Sequence, residues 1–177
     1  MQEFVRYRKL NASQHKSKVE LLVSGFGYQQ LVPVDDIVDA VMKLPQSHIQ
    51  KIQVIKFDPN KNISFLLRHQ RVGPQLGEYL LNYKSIVVYQ FNSRHECFHV
   101  LFHEVGHHVY FQAITSFQKK EWVTEVYPAE PGVTPLGKKN ACEDFAESYA
   151  LYVNEPNRLK PFVRKYRFID SLFKNVN

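Results

Sequence analysis

The stretch Cys97-Phe98-His99-Val100-Leu101-Phe102-His103-Glu104-Val105-Gly106-His107-His108-Val109-Tyr110 contains the pentapeptide His103-Glu104-Val105-Gly106-His107. Read as a helix, it puts His103 and His107 one turn apart on one face, where two imidazoles can bind a single Zn²⁺. Glu104 then lies about 100° round, within reach of a water on that metal. Val100, Leu101 and Phe102 before the pentapeptide, and Val109, Tyr110 and Phe111 after it, make the helix largely apolar and therefore buried. Buried imidazoles need partners, and a zinc ion supplies them.

With eight histidines in the chain, a chance H-E-x-x-H match is expected at roughly a few per cent, so the pattern gains its weight from context. A second copy, His95-Glu96-Cys97-Phe98-His99, sits one turn upstream, and His95, His99, His103 and His107 recur every fourth residue. Only one pair can be the primary site. The upstream copy follows Asn92-Ser93-Arg94, where Ser93 and Glu96 read as an N-cap and capping box, which gives Glu96 a structural task. The downstream copy carries Gly106, which lets another backbone approach the metal face. His103 and His107 are the expected ligands.

Working outward, 177 residues with 44% apolar and 14% aromatic content suit one folded domain with a real core, residues 1–32 being a possible N-terminal extension. That extension is expected to be a loosely packed segment, with an arm, a strand added to the main sheet or a partner-binding extension as the alternatives. No apolar run is long enough to span a bilayer and Met1 to Arg6 does not open a secretory signal, so a cytoplasmic protein without membrane association is expected. Cys97 and Cys142 are too few for a disulfide framework and are expected to be reduced, the sharper alternative being a Cys-containing zinc site. The net charge of +6 is spread rather than clustered, and no nucleic-acid module is visible, so a nucleic-acid partner is not expected.

Asp35 or Asp36 is expected to cap a helix with Ile37, Val38, Ala40, Val41 and Leu44 on one face, closed by Pro45. Ile52 to Phe57, more weakly Ile63 to Leu67, then Glu78 to Asn82 and Ile86 to Phe91 read as strands, the last two as a hairpin. The helix carrying the pentapeptide should run from about Arg94 to Ala113. Ser116 to Lys139, rich in Pro and Gly and holding Trp122, reads as a long mobile loop able to fold over a cleft. Helices from Asn140 to Pro156 and from about Arg158 to Lys174 complete the chain.

A catalytic zinc needs a third protein ligand and an open fourth position. Asn140-Ala141-Cys142-Glu143-Asp144-Phe145-Ala146-Glu147 offers one after a loop and an antiparallel return. If Glu143 binds the metal, Glu147, one turn on, can hold a ligand imidazole. Otherwise Glu143 completes a capping box with Asn140, and Glu147 is solvated.

These residues carry a resemblance. His103-Glu104-Val105-Gly106-His107, then Glu143-Asp144-Phe145-Ala146-Glu147-Ser148, and more loosely Arg158-Leu159-Lys160 with Phe168-Ile169, resemble the family of the anthrax lethal factor catalytic domain and the Pro-Pro endopeptidases over residues 50–177. The resemblance implies an α+β, zincin-like fold with a small twisted sheet, a motif helix and C-terminal helices. It implies zinc held by His103, His107 and Glu143, and hydrolysis of a protein or peptide substrate by a zinc-activated water with Glu104 as general base. By zincin analogy the substrate backbone should lie along the strand edge near Gly77 to Asn82. The family tends to place an oxyanion-stabilising Tyr seven residues before the ligand Glu, where this chain has Leu136. Tyr127 is the expected substitute, ahead of His108 and of Tyr149, which should pack in the core. One rival is a regulatory protease that cleaves a repressor, but no DNA-binding helix-turn-helix accompanies the sequence. The other is a zinc-stapled binding or regulatory module that does not cleave peptides.

Overall fold

Val, Ile and Leu dominate the interior strands of the sheet. The computed structural model describes residues 4–9, 19–59 and 75–174, within which β1 (Phe4–Lys9), β2 (Val19–Ser24), β3 (Val54–Phe57), β4 (Gly77–Leu80) and β5 (Ser85–Val88) form one mixed sheet in the order β1-β2-β3-β5-β4. The β1-β2 and β4-β5 pairs are antiparallel, and β2-β3 and β3-β5 are parallel. Val23 lies opposite Ile55, and Ile55 opposite Ile86. All three side chains are fully buried, which fixes the register, because a one-residue slip would turn them to the other face.

β2 is thus an interior strand. Residues 19–24 are not a loose extension but the added strand named among the alternatives for this segment. Immediately after β2, Gly25 has φ +81°, and a Cβ there would sit 2.1 Å from the Phe57 carbonyl oxygen, so the close approach of the two chain segments requires glycine. The helix α1 (Val34–Met42) buries Ile37, Val38 and Val41. It starts after Pro33, and Asp35 and Asp36 lie in its first turn without capping it through a side chain. They instead favour the positive end of the helix dipole, and Asp36 pairs with Arg94. A single turn, α2 (Gln46–Ile49), follows Pro45. The hairpin β4-β5 forms as expected, while the strand expected over Ile63 to Leu67 lies outside the described residues.

The helix α3 (Arg94–His108) runs on into a wider π turn, Val109–Ala113, so helical structure extends over the expected span. The Ile114 N–H donating to the Val109 carbonyl at 3.1 Å closes this turn. Two compact units, residues 1–100 and 101–177, divide the chain within α3.

Ser116 to Lys139 departs from the expected irregular loop. It begins with α4 (Ser116–Glu121), whose Thr115 and Gln118 form a reciprocal capping box, followed by a π turn at Trp122–Val126 and a 3₁₀ turn at Tyr127–Ala129. Trp122 explains the order. It is fully buried, donates from Nε1 to the Ala141 carbonyl at 2.7 Å, and packs 5.1 Å from the Phe145 ring and 5.2 Å from the Phe168 ring. The C-terminal part comprises α5 (Ala141–Asn154), the short α6 (Pro156–Leu159) and α7 (Val163–Lys174). The single last helix expected from Arg158 is two, because Pro161 can neither donate a backbone hydrogen bond nor let the preceding turn continue unstrained. The chain is α+β, and among the described residues no helix is long and apolar enough to cross a membrane.

Candidate metal centre

The part of α3 that belongs to the second unit, together with α5, makes the site. At Gly106 on α3 a Cβ would lie 2.8 Å from the Ala146 Cα and 3.1 Å from the Ala146 carbonyl oxygen of α5, so the absence of a side chain lets the two backbones touch. One turn along α5 from Ala146, Glu143 faces the two histidines of α3. Its Oε2 is 3.3 Å from His103 Nε2 and 3.5 Å from His107 Nε2. The two imidazoles meet edge to face with centroids 4.6 Å apart. One donor atom from each of the three residues lies within 4.8 Å of the others.

These separations bear on whether an ion fits. Tetrahedral zinc with bonds of about 2.0–2.1 Å holds its ligand atoms about 3.3 Å apart. The two Nε2–Oε2 distances match that spacing, and the donor set of two imidazoles and one carboxylate matches the chemistry of an open catalytic site. The three residues could hold a metal ion of this kind.

The opposite edge of each imidazole is also engaged from α5. His103 Nδ1 lies 2.7 Å from Glu147 Oε1, and His107 Nδ1 lies 3.4 Å from Cys142 Sγ. Glu143 supplies a donor to the cluster while its neighbours at −1 and +4 hold the far sides of the rings. Asn140 sets the start of this helix: its Oδ1 accepts the N–H groups of Cys142 at 3.0 Å and Glu143 at 2.9 Å. The Asn140 cap therefore exists, but the Glu143 carboxylate is turned to the histidines rather than back to the cap. Glu147 is buried rather than solvated.

The electrostatics follow from this crowding. Burial disfavours charge on His103, but the hydrogen bonds to Glu143 and Glu147 and the charge of Glu104 outweigh it and hold the imidazole up at about 10 in the metal-free protein. Hydrogen bonds from His103 and His107 hold the Glu143 carboxyl far below the usual carboxylate range. Burial, reinforced by Glu143 and Glu104 and opposed by Lys119, pushes the Cys142 thiol up to about 12.

Behind Glu143, Asp144 anchors the segment that leads into α5. It is fully buried, as is Lys165 of α7, whose Nζ is 2.6 Å from Asp144 Oδ2 and donates to the Pro131 carbonyl at 2.8 Å. Asp144 Oδ1 accepts the Val133 N–H at 2.9 Å, and Glu130 accepts the backbone N–H groups of Arg164 and Lys165. A Cβ on Gly137 would meet Asp144 Oδ1 at 2.7 Å. Residues 130–137 are thus tied to α5 and α7. Nothing local in the sequence marks Lys165 as an inward-facing lysine.

The remaining candidates are placed as follows. Glu104 is buried beside His103 and adds to its positive charge preference. The Glu96 N–H donates to Ser93 Oγ at 3.1 Å, the Ser93 half of the expected capping box, while the Glu96 carboxylate accepts the Asn92 N–H where a capping box would use that of Ser93. His95 is exposed, and neither His95 nor His99 belongs to the metal-type cluster found among the described residues. Cys97 is fully buried, and burial raises its thiol to about 12 against the pull of Arg94. Tyr149 is fully buried and packs on Phe173, as expected of a core residue. His108 is buried, Leu136 half-buried. The Tyr127 ring faces the Lys165 ammonium at 5.7 Å.

No protein-family model and no curated protein matches the chain significantly.

Proposed function

We propose that the protein is a zinc metallopeptidase with a zincin-like fold. The observation that carries the reading is that Glu143 Oε2 lies 3.3 Å from His103 Nε2 and 3.5 Å from His107 Nε2, in a cluster whose ligand atoms all fall within 4.8 Å, with an acidic residue, Glu104, next to the first histidine. His103, His107 and Glu143 would hold the ion. Zinc bound there supplies a Lewis acid that lowers the pKa of water towards ~7 and polarises a peptide carbonyl.

The chain's own residues divide the rest of the work. Glu147 and Cys142 lie against the Nδ1 edges of the two histidines and leave both Nε2 atoms turned to the Glu143 carboxylate, where an ion would sit. The Glu104 carboxylate takes the proton of the attacking water and returns it to the leaving amine, the ordinary exchange of a general base and acid. Tyr127 is the candidate donor to the developing oxyanion, in place of the hydroxyl that Leu136 lacks. The substrate is a protein or peptide, and a reducing cytoplasmic setting suits two unpaired thiols.

Glu104→Gln tests the reading. The variant should keep its zinc and its fold and lose hydrolysis of a peptide library by about 10²-fold or more. A second reading, in which zinc only staples a binding or regulatory module, is favoured by Leu136. Zinc-loaded wild-type protein that cleaves nothing in the library would select it.

A further inference from the structure

We infer that Cys142 is a positioning residue whose sulfur orients the metal ligand His107. The inference rests on the zinc reading above and concerns a residue for which the H-E-x-x-H pattern makes no provision.

The argument begins with the imidazole. A histidine binds a metal through one nitrogen, and what the other nitrogen bonds to fixes both the tautomer and the ring's rotation about χ2. For His103 the group against that nitrogen is the Glu147 carboxylate, 2.7 Å away in ion-pair contact rather than hydrogen-bond geometry. For His107 it is Cys142 Sγ at 3.4 Å from Nδ1, inside the range of a hydrogen bond to sulfur. With Nε2 given to a metal, the remaining hydrogen lies on Nδ1 and is donated to Sγ; without metal, Nε2 faces Glu143 Oε2 at 3.5 Å and hydrogen-bonds to it.

Position along α5 makes the contact dependable. Cys142 directly precedes Glu143, and the same Asn140 oxygen accepts the N–H groups of both residues. One cap therefore fixes the backbone from which the Glu143 carboxylate and the Cys142 sulfur both project. The helix presents a ligand and the positioning groups of both histidine ligands within six residues, 142–147. A sulfur is a weaker acceptor than a carboxylate.

The test measures zinc affinity of the full chain by competition with a chelator, for wild type, Cys142→Ala and Cys142→Ser. The His107 tautomer is read by ¹⁵N NMR, and thermal unfolding is followed without metal. Cys142→Ala should weaken zinc binding by about 10- to 100-fold, the usual effect of removing such a partner. Its metal-free unfolding temperature should stay near that of wild type, and the Nδ1–H form of His107 should lose population. Cys142→Ser, which restores an acceptor, should recover part of the affinity. Cys142→Ala with wild-type zinc affinity and an unchanged His107 tautomer would overturn the inference while leaving the zinc site intact. Wild-type protein that takes up no zinc would overturn the metallopeptidase reading and this inference together.

Discussion

Gly106 of α3 and Ala146 of α5 touch backbone to backbone: a Cβ on Gly106 would stand 2.8 Å from the Ala146 Cα. The contact sets the distance between the helix bearing His103 and His107 and the helix bearing Glu143. Gly106→Ala should push the helices apart, with an overpacking cost of about 1–3 kcal/mol. Zinc affinity should fall with stability, since Glu143 Oε2 moves with α5. Denaturant unfolding and chelator competition on the one variant check both. Unchanged values in both would mean that the helices separate without cost.

The ligand assignment predicts an ordered series. Glu143→Ala should nearly abolish zinc retention, whereas Glu147→Ala should weaken it by about 10- to 100-fold. His103→Ala should lose the metal and His95→Ala should keep it. Elemental analysis of dialysed proteins ranks them, and a greater loss at Glu147 than at Glu143 would reverse the two roles.

Zinc uptake should be steeply pH-dependent. The His103 imidazole, held up at about 10, carries a proton in the metal-free protein at neutral pH. A metal must displace that proton, so affinity rises with pH and is lost as pH falls. Between about pH 6 and pH 8 the dissociation constant should drop by about tenfold per unit for this one proton, beyond any contribution from other ligands. Calorimetric titration in buffers of different ionisation enthalpy would count the released protons. Zero release at neutral pH would show His103 already neutral.

The Asp144–Lys165 pair, both members fully buried, should be expensive to break from one side. Lys165→Met leaves Asp144 with an uncompensated buried carboxyl and should destabilise by about 3–5 kcal/mol. The double change Lys165→Met with Asp144→Leu should recover part of that loss. Because the pair ties the segment leading into α5, hydrogen exchange in residues 130–137 should accelerate in the single variant. Additive losses in the double variant would mean that the two residues act independently.

Tyr127→Phe tests the oxyanion role with little effect on stability, because the ring facing Lys165 at 5.7 Å is kept. Turnover should fall by about 10²- to 10³-fold, the usual worth of such a donor, with zinc content unchanged. Adding Leu136→Tyr should restore part of it. Full activity in Tyr127→Phe would remove this residue from the catalytic set.

The sequence by itself determined what depends on a few neighbouring residues. The i, i+4 spacing of His103 and His107, the Asn140 cap, the Ser93–Glu96 start of α3 and the β4-β5 hairpin all rest on local periodicity and capping. The helix α4 was also legible, in Thr115 and Gln118 at capping-box spacing, but the Pro and Gly residues that follow masked it. Tertiary structure alone decided the rest. It put β5 between β3 and β4, buried Trp122 in what reads as a loop, and turned Lys165 inward to Asp144. It also brought Cys142 to His107, 35 positions away in sequence. These are pairings between segments far apart in the chain, where the free energy comes from burying apolar surface and satisfying buried polar groups together. Which residues meet is then set by the packing of whole helices and strands, a quantity no window of sequence contains.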